Sequence, residues 1–117
     1  MYTIRKQFNF EAAHHLTGLA EGHPCMQPHG HSYRVDVVMR SVDLDEHSFV
    51  RDYHDLDEFK QYIDQKFDHH DLNAVLAIST TAENLAKHFF DWCKLRWPET
   101  SAVGVSETGK SWAVYSE

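Results

Sequence analysis

The chain has 117 residues, of which 42% are hydrophobic and 25% charged, and its formal net charge is -7 at pH 7. This length predicts one domain over residues 1–117, and the acidic balance argues against a nucleic-acid binder that relies on clustered Lys and Arg. No apolar run approaches the roughly 20 residues that cross a bilayer. The start of the chain lacks a signal-peptide core, which predicts a cytoplasmic protein with reduced thiols.

Two strands are predicted first. Over residues 2–12 the even positions are largely apolar and the odd positions polar, the two-residue period of a strand with one buried face. If this period continues to the end of the strand, His14 also lies on the buried face. The second strand is predicted from His29 to about Arg40, and its alternation directs His29 and His31 to one face.

The remaining elements suggest a mixed architecture. A short third strand is predicted over 49–53, then one helix with apolar positions over 56–67, and a second helix that ends before Pro98. Thr80 and Glu83 have the spacing of a capping box at the start of that second helix. Two last strands are predicted over 102–108 and 111–115. This order lacks β-α-β alternation and therefore predicts an α+β fold with an antiparallel sheet.

Ten histidines form the strongest compositional signal, and three of them make a candidate metal site. His14, His29 and His31 would give Zn²⁺ three imidazole ligands and one open position, as in catalytic zinc sites. Two histidines on a strand can also be a hydrogen-bonded structural pair, but that interpretation leaves His14 unexplained. Cys25, four residues before His29, is either the fourth ligand of a closed site or a reactive base. Cys93 falls in the apolar stripe of the second helix and is predicted to fill the core.

Two carboxylates are further candidates. Asp68 stands beside His69 at the predicted end of the first helix, where it could orient the imidazole for acid or base catalysis. The alternative is a solvated or capping pair. Glu107 shares the parity of Val103 and Val105, so it should point inward at the end of a predicted strand, and a buried carboxylate needs a partner. A planar ligand with two adjacent N–H donors would satisfy it, and so would a nearby Lys or Arg.

Taken together, these residues resemble the 6-pyruvoyltetrahydropterin synthase and 6-carboxytetrahydropterin synthase family. The resemblance covers the chain end to end, and its motifs are specific jointly rather than singly. The matching stretches are Phe10-Glu11-Ala12-Ala13-His14, Cys25 through His29-Gly30-His31-Ser32-Tyr33, Asp52-Tyr53 with Leu56, Asp68-His69 with Leu72-Asn73, Thr81-Ala82-Glu83-Asn84-Leu85-Ala86, and Glu107-Thr108.

The resemblance implies the tunnelling fold. In that fold an antiparallel four-stranded sheet carries two helices on one face, trimerises into a barrel, and stacks head to head as a homohexamer. The family's functional positions fall on zinc ligands His14, His29 and His31, a catalytic thiol at Cys25, a proton-relay pair at Asp68 and His69, and a pterin-anchoring carboxylate at Glu107. By resemblance, therefore, the thiol is a base rather than a fourth ligand.

The resemblance also implies a reaction. Three residues separate Cys25 from His29, the short spacing typical of bacterial 6-carboxytetrahydropterin synthases. The implied activity is that of a zinc-dependent lyase. It converts 7,8-dihydroneopterin triphosphate to 6-carboxy-5,6,7,8-tetrahydropterin, acetaldehyde and triphosphate, on the way to queuosine and related deazapurines. The alternatives are the pyruvoyl-forming synthase and a non-catalytic zinc- or pterin-binding module. The implied partners are this small molecule and copies of the chain, with no nucleic acid and no membrane.

Overall fold

Two long strands form the centre of the sheet. The computed structural model describes all 117 residues. Its first strand, β1, covers Tyr2–His14 and its second, β2, covers His29–Ser41. They pair antiparallel along their whole length, and His14 lies opposite His29. Both strand predictions are confirmed, and this register brings two histidines of the candidate metal site directly across from each other.

Three shorter strands complete a five-stranded mixed sheet in the order β3-β1-β2-β4-β5. They are β3 (His70–Asp71), β4 (Thr100–Ser106) and β5 (Ala113–Ser116). β3 runs parallel to β1 and pairs with it at Ala12 and Ala13, whereas all other neighbouring strands are antiparallel. The predicted antiparallel four-stranded sheet is therefore wrong in the number of strands and in the direction of one of them.

The strand predicted over residues 49–53 does not form. The Asp45 carboxylate accepts two hydrogen bonds from backbone N–H groups that follow it, which bends this segment into a turn. The Asp52 side chain then caps a 3-10 turn at Tyr53–Leu56. Local side-chain hydrogen bonds thus satisfy backbone groups that a strand would have paired with a neighbour.

Three α-helices connect the strands, and the prediction of two is corrected. They are α1 (Asp57–Lys66), α2 (Leu72–Val75) and α3 (Ala82–Arg96). The single turn of α2 lies in a segment predicted as a loop. Thr81, not Thr80, caps α3, because its hydroxyl accepts the hydrogen bond of the Asn84 N–H. None of the helices combines the length and the apolar character needed to cross a membrane.

The core lies between α1, α3 and one face of the sheet. Phe8 and Phe10 of β1 meet Phe59 of α1 and Phe89 of α3, with ring centroids 5.0 to 6.1 Å apart. The alternate residues of β1 face outward and are mostly exposed. Toward the end of β1 the buried row continues to His14, which is 1% exposed. The apolar core therefore leads directly into the histidines.

Candidate metal and catalytic site

Three imidazoles converge where β1 ends and β2 begins. His14 pairs across the sheet with His29, and His31 is two residues further along β2 on the same face. The ring centroids are 4.6 to 5.0 Å apart. One nitrogen from each ring lies within 4.8 Å of the nitrogens of the other two. The arrangement can hold a metal ion, and it follows from strand parity and the hairpin register.

Backbone carbonyls orient two of these rings. His14 Nδ1 lies 2.9 Å from Thr80 O and 3.2 Å from Thr80 Oγ1, and His29 Nδ1 lies 2.7 Å from Gln27 O. Because a carbonyl only accepts, Nδ1 carries a proton in both rings, and each neutral ring keeps its lone pair on Nε2. Metal-binding histidines usually have such an outer partner. The donor set therefore fits Zn²⁺, which favours imidazole nitrogen.

Glu107 lies at the same point, immediately after β4. Its Oε2 is 3.2 Å from Nε2 of His14 and 3.2 Å from Nε2 of His31. Neither contact has hydrogen-bond geometry, and both Nε2 atoms are buried without another partner. A hydrogen bond from His14 in its protonated form, together with the charge of a protonated His31, would hold the pKa of Glu107 below its usual value, although burial opposes this. No Lys or Arg of the same chain pairs with Glu107, so its close contacts within one chain are with the two imidazoles.

Burial of the site also affects its neighbours. Burial lowers the pKa of His31, against the opposing effect of Glu107. Tyr33 forms the floor, with its ring centroid 5.9 Å from that of His14 and 5.4 Å from that of His31. Its hydroxyl is buried without a hydrogen-bond partner, and burial raises the pKa of this phenol. The phenol of Tyr33 therefore stays neutral beside the histidines, and electrostatic interactions at such a buried position are stronger than in water.

Cys25 lies in a short 3-10 turn, Pro24–Met26, beside the end of β1. Its carbonyl accepts a hydrogen bond of 2.7 Å from the N–H of Leu16, two residues after His14. The residue is half-buried and its thiol is free. The sulfur is not in the group of converging ligand atoms. The turn thus holds a free thiol beside the end of β1, and its sulfur is not among the converging atoms.

Asp68 and His69 form a hydrogen-bonded pair at the edge of the sheet. His69 Nδ1 is 2.8 Å from Asp68 Oδ2, and Asp68 Oδ1 accepts from the Glu11 N–H at 2.9 Å. The hydrogen bond from Glu11, then the one with His69, lowers the pKa of Asp68. The His69 side chain is 78% exposed and lines an open cleft of about 530 Å³ together with His31. Within one chain the pair therefore shares this cleft with His31, although neither of its residues is among the converging ligand atoms.

Thr80 and Asn73 support the site, and the sequence analysis assigned neither this role. Asn73 Oδ1 accepts from the His15 N–H at 2.9 Å, and Asn73 Nδ2 donates to His15 O at 3.0 Å. Thr80 is fully buried and touches His14, 66 residues away in sequence. Contacts across this distance leave no periodic signal in the sequence. Asn73 fastens the end of β1 to α2, and Thr80 fastens it to the loop before α3.

Comparisons with known proteins identify the family of this chain. The family model described as 6-pyruvoyl tetrahydropterin synthase matches residues 3–117. A protein of Archaeoglobus fulgidus provisionally named 6-carboxy-5,6,7,8-tetrahydropterin synthase is 31% identical over 105 residues, which cover 90% of this chain and 87% of that protein. The 6-carboxy-5,6,7,8-tetrahydropterin synthase of Aquifex aeolicus is 27% identical over 159 aligned residues, covering 99% and 98% of the two chains.

The fold is also shared with a solved structure. The 6-pyruvoyl tetrahydropterin synthase of Caenorhabditis elegans superposes with a TM-score of 0.86 at 24% identity, covering 99% of this chain and 95% of that one. Nearly the whole chain therefore matches in sequence as well as in fold. The chain belongs to the 6-pyruvoyl tetrahydropterin synthase family.

Proposed function

We propose that this protein is a zinc-dependent 6-carboxy-5,6,7,8-tetrahydropterin synthase. It would convert 7,8-dihydroneopterin triphosphate to 6-carboxytetrahydropterin, acetaldehyde and triphosphate, on the way to queuosine and related deazapurines. The observation that carries the proposal is the convergence of His14, His29 and His31 with Glu107, beside a turn that bears the free thiol of Cys25. The names of two relatives, from Archaeoglobus fulgidus and Aquifex aeolicus, support the carboxy product.

The three histidines would hold the zinc ion. When bound, Zn²⁺ supplies Lewis-acid polarisation and a template for the substrate side chain. The carbonyls of Thr80 and Gln27 fix the rings of His14 and His29 with their Nε2 lone pairs available. Such preset orientation reduces the reorganisation needed for binding.

The remaining groups would position the pterin and move protons. Glu107 would accept two N–H donors of the pterin ring, which orients the side chain of the substrate. Cys25, as thiolate, would remove a proton from that side chain. Asp68 would orient His69, which would exchange a second proton from the cleft that it lines with His31. This division leaves metal binding and proton transfer to different residues.

Product analysis tests the proposed reaction. Zinc-loaded protein incubated with 7,8-dihydroneopterin triphosphate should release acetaldehyde and form 6-carboxytetrahydropterin. Formation of 6-pyruvoyltetrahydropterin without acetaldehyde would instead identify the pyruvoyl-forming synthase. Absence of any turnover would favour a non-catalytic zinc- or pterin-binding module.

We also propose that the protein assembles as a homohexamer, a dimer of trimers. On its outer side β1 pairs with β3 only at Ala12 and Ala13, so most of this 13-residue strand is an open edge, and β5 leaves the opposite edge open. Open edges are normally covered, and pairing with another copy would cover both. Sedimentation at micromolar concentration should give six times the 13.6 kDa of one chain. A stable monomer under these conditions would contradict the assembly.

A further inference from the structure

The position of Glu107 matches that of a metal ligand as well as that of a pterin anchor. Its Oε2 lies 3.2 Å from Nε2 of His14 and at the same distance from Nε2 of His31. In a tetrahedral zinc site with bonds of about 2.0 Å, neighbouring ligand atoms lie about 3.3 Å apart. The carboxylate oxygen therefore already has the spacing of a fourth ligand relative to two of the three histidines.

The surroundings leave these atoms without other partners. Nε2 of His14 and Nε2 of His31 are both buried and make no hydrogen bond. His14 uses its Nδ1 proton for Thr80 O, so the neutral ring has no second proton to offer Glu107. Buried polar atoms without partners are costly. One divalent cation between the nitrogens and the carboxylate would satisfy all of them.

Glu107 also lines a cleft outside the group of three histidines. Its side chain is 32% exposed and lines a cleft of about 190 Å³ next to the start of α3. The cleft is further lined by Glu83 and Trp112. The proposed pterin anchor requires the carboxylate to face a planar ligand outside the histidine group. Glu107 thus stands between the candidate cation position and an open cleft.

We propose that Glu107 alternates between these two partners. Without pterin it is a fourth ligand of the cation held by His14, His29 and His31. With pterin bound it withdraws from the cation and accepts the N–H donors of the ring. The inference rests on the proposed function, in which zinc and a pterin bind at this site, and it adds a link between the two binding events.

The exchange has a thermodynamic consequence. Because cation and pterin would compete for one carboxylate, each should weaken the binding of the other by the same factor. A pterin that lacks the side chain has no side-chain oxygen atoms to replace the carboxylate at the cation, so it isolates this competition. Typical coupling between two sites is about 5- to 150-fold. The competition should disappear when Glu107 is replaced.

The experiment uses Co²⁺ as a spectroscopic probe of zinc sites and unsubstituted pterin as the ligand. Wild type, Glu107→Gln and Glu46→Gln are titrated with Co²⁺, with and without pterin. Glu46 is exposed, contacts His47 and lies outside both the converging histidines and the cleft, so its variant controls for the loss of one negative charge. Glu107→Gln should bind Co²⁺ about 10- to 100-fold more weakly, with an altered visible spectrum. Glu46→Gln should match the wild type.

Pterin provides the second measurement. It should change the cobalt spectrum and lower the cobalt affinity in wild type and Glu46→Gln, but not in Glu107→Gln. Equal cobalt affinity and spectrum in wild type and Glu107→Gln would overturn ligation by Glu107. Binding of pterin to wild type without effect on cobalt would overturn the exchange. Neither measurement requires turnover, so an unexpected product would reject the proposed function and leave the ligand exchange standing.

Discussion

His14→Asn is expected to lower the affinity for Zn²⁺ by at least about 100-fold, the upper end of what the loss of an outer-shell partner costs. His14 supplies one of three converging nitrogens, and Cys25 lies outside that group. No other imidazole is in place to take over. Titration against a competing chelator would give the affinity. Undiminished zinc binding would remove His14 from the ligand set.

Asparagine is chosen at position 14 because it removes the metal ligand while keeping a hydrogen bond that stabilises the fold. Its amide N–H can replace Nδ1 of His14 as donor to Thr80 O, which keeps β1 attached to the loop before α3. The metal-free variant should therefore unfold near the temperature of the metal-free wild type. His15→Asn is the matched control, since His15 is outside the converging group. It should bind zinc as tightly as the wild type.

The convergence of the site histidines could be predicted because it depends on the two-residue period of the strands. Side chains alternate along a strand without exception unless a bulge intervenes, so the parity of Phe8 and Phe10 also fixes that of His14. The β1 and β2 pairing then places His14 opposite His29. The inward direction of Glu107 follows from the same rule at the end of β4. The buried position predicted for Cys93 is likewise confirmed.

The sequence does not predict β3 or the correct cap of α3, because both depend on hydrogen bonds between residues that are far apart in the sequence. A two-residue strand such as β3 is too short to show a period, and it pairs with β1 next to the hydrogen bond from the His69 N–H to Glu11 O. The cap of α3 is predicted at Thr80 but lies at Thr81, because the two threonines are chemically equivalent as caps. Only the contact of Thr80 with His14 distinguishes them. Such contacts depend on the assembled fold.

For Asp68 and His69, the contact between the two side chains can be predicted from the sequence, but their position in the fold cannot. Their adjacency predicted the hydrogen bond between them, which is present at 2.8 Å. Their position relative to the three histidines could not be predicted, because His69 adopts a left-handed backbone conformation with φ of 60°. A non-glycine residue in that region redirects the chain in a way that propensities do not reveal. The catalytic role of the pair stays a prediction.

Cys25→Ala is expected to keep zinc bound while turnover falls by about 10² to 10⁴-fold, the typical contribution of a positioned acid or base. The turn that carries Cys25 is held by backbone groups, since its carbonyl accepts from Leu16 N–H and its N–H donates to His23 Nδ1. Replacing the thiol leaves both hydrogen bonds intact. The variant therefore removes the sulfur without moving the turn or the histidines.

Cys93 gives an internal control for the chemistry of Cys25. Cys93 is fully buried in α3 and burial raises the pKa of its thiol, so iodoacetamide should not alkylate it in the folded protein. Alkylation should instead modify Cys25 and abolish turnover in wild type and in Cys93→Ala alike. Zinc per subunit and product formation are measured for each variant. Loss of zinc from Cys25→Ala would make Cys25 a ligand, and near-normal turnover would exclude it as the base.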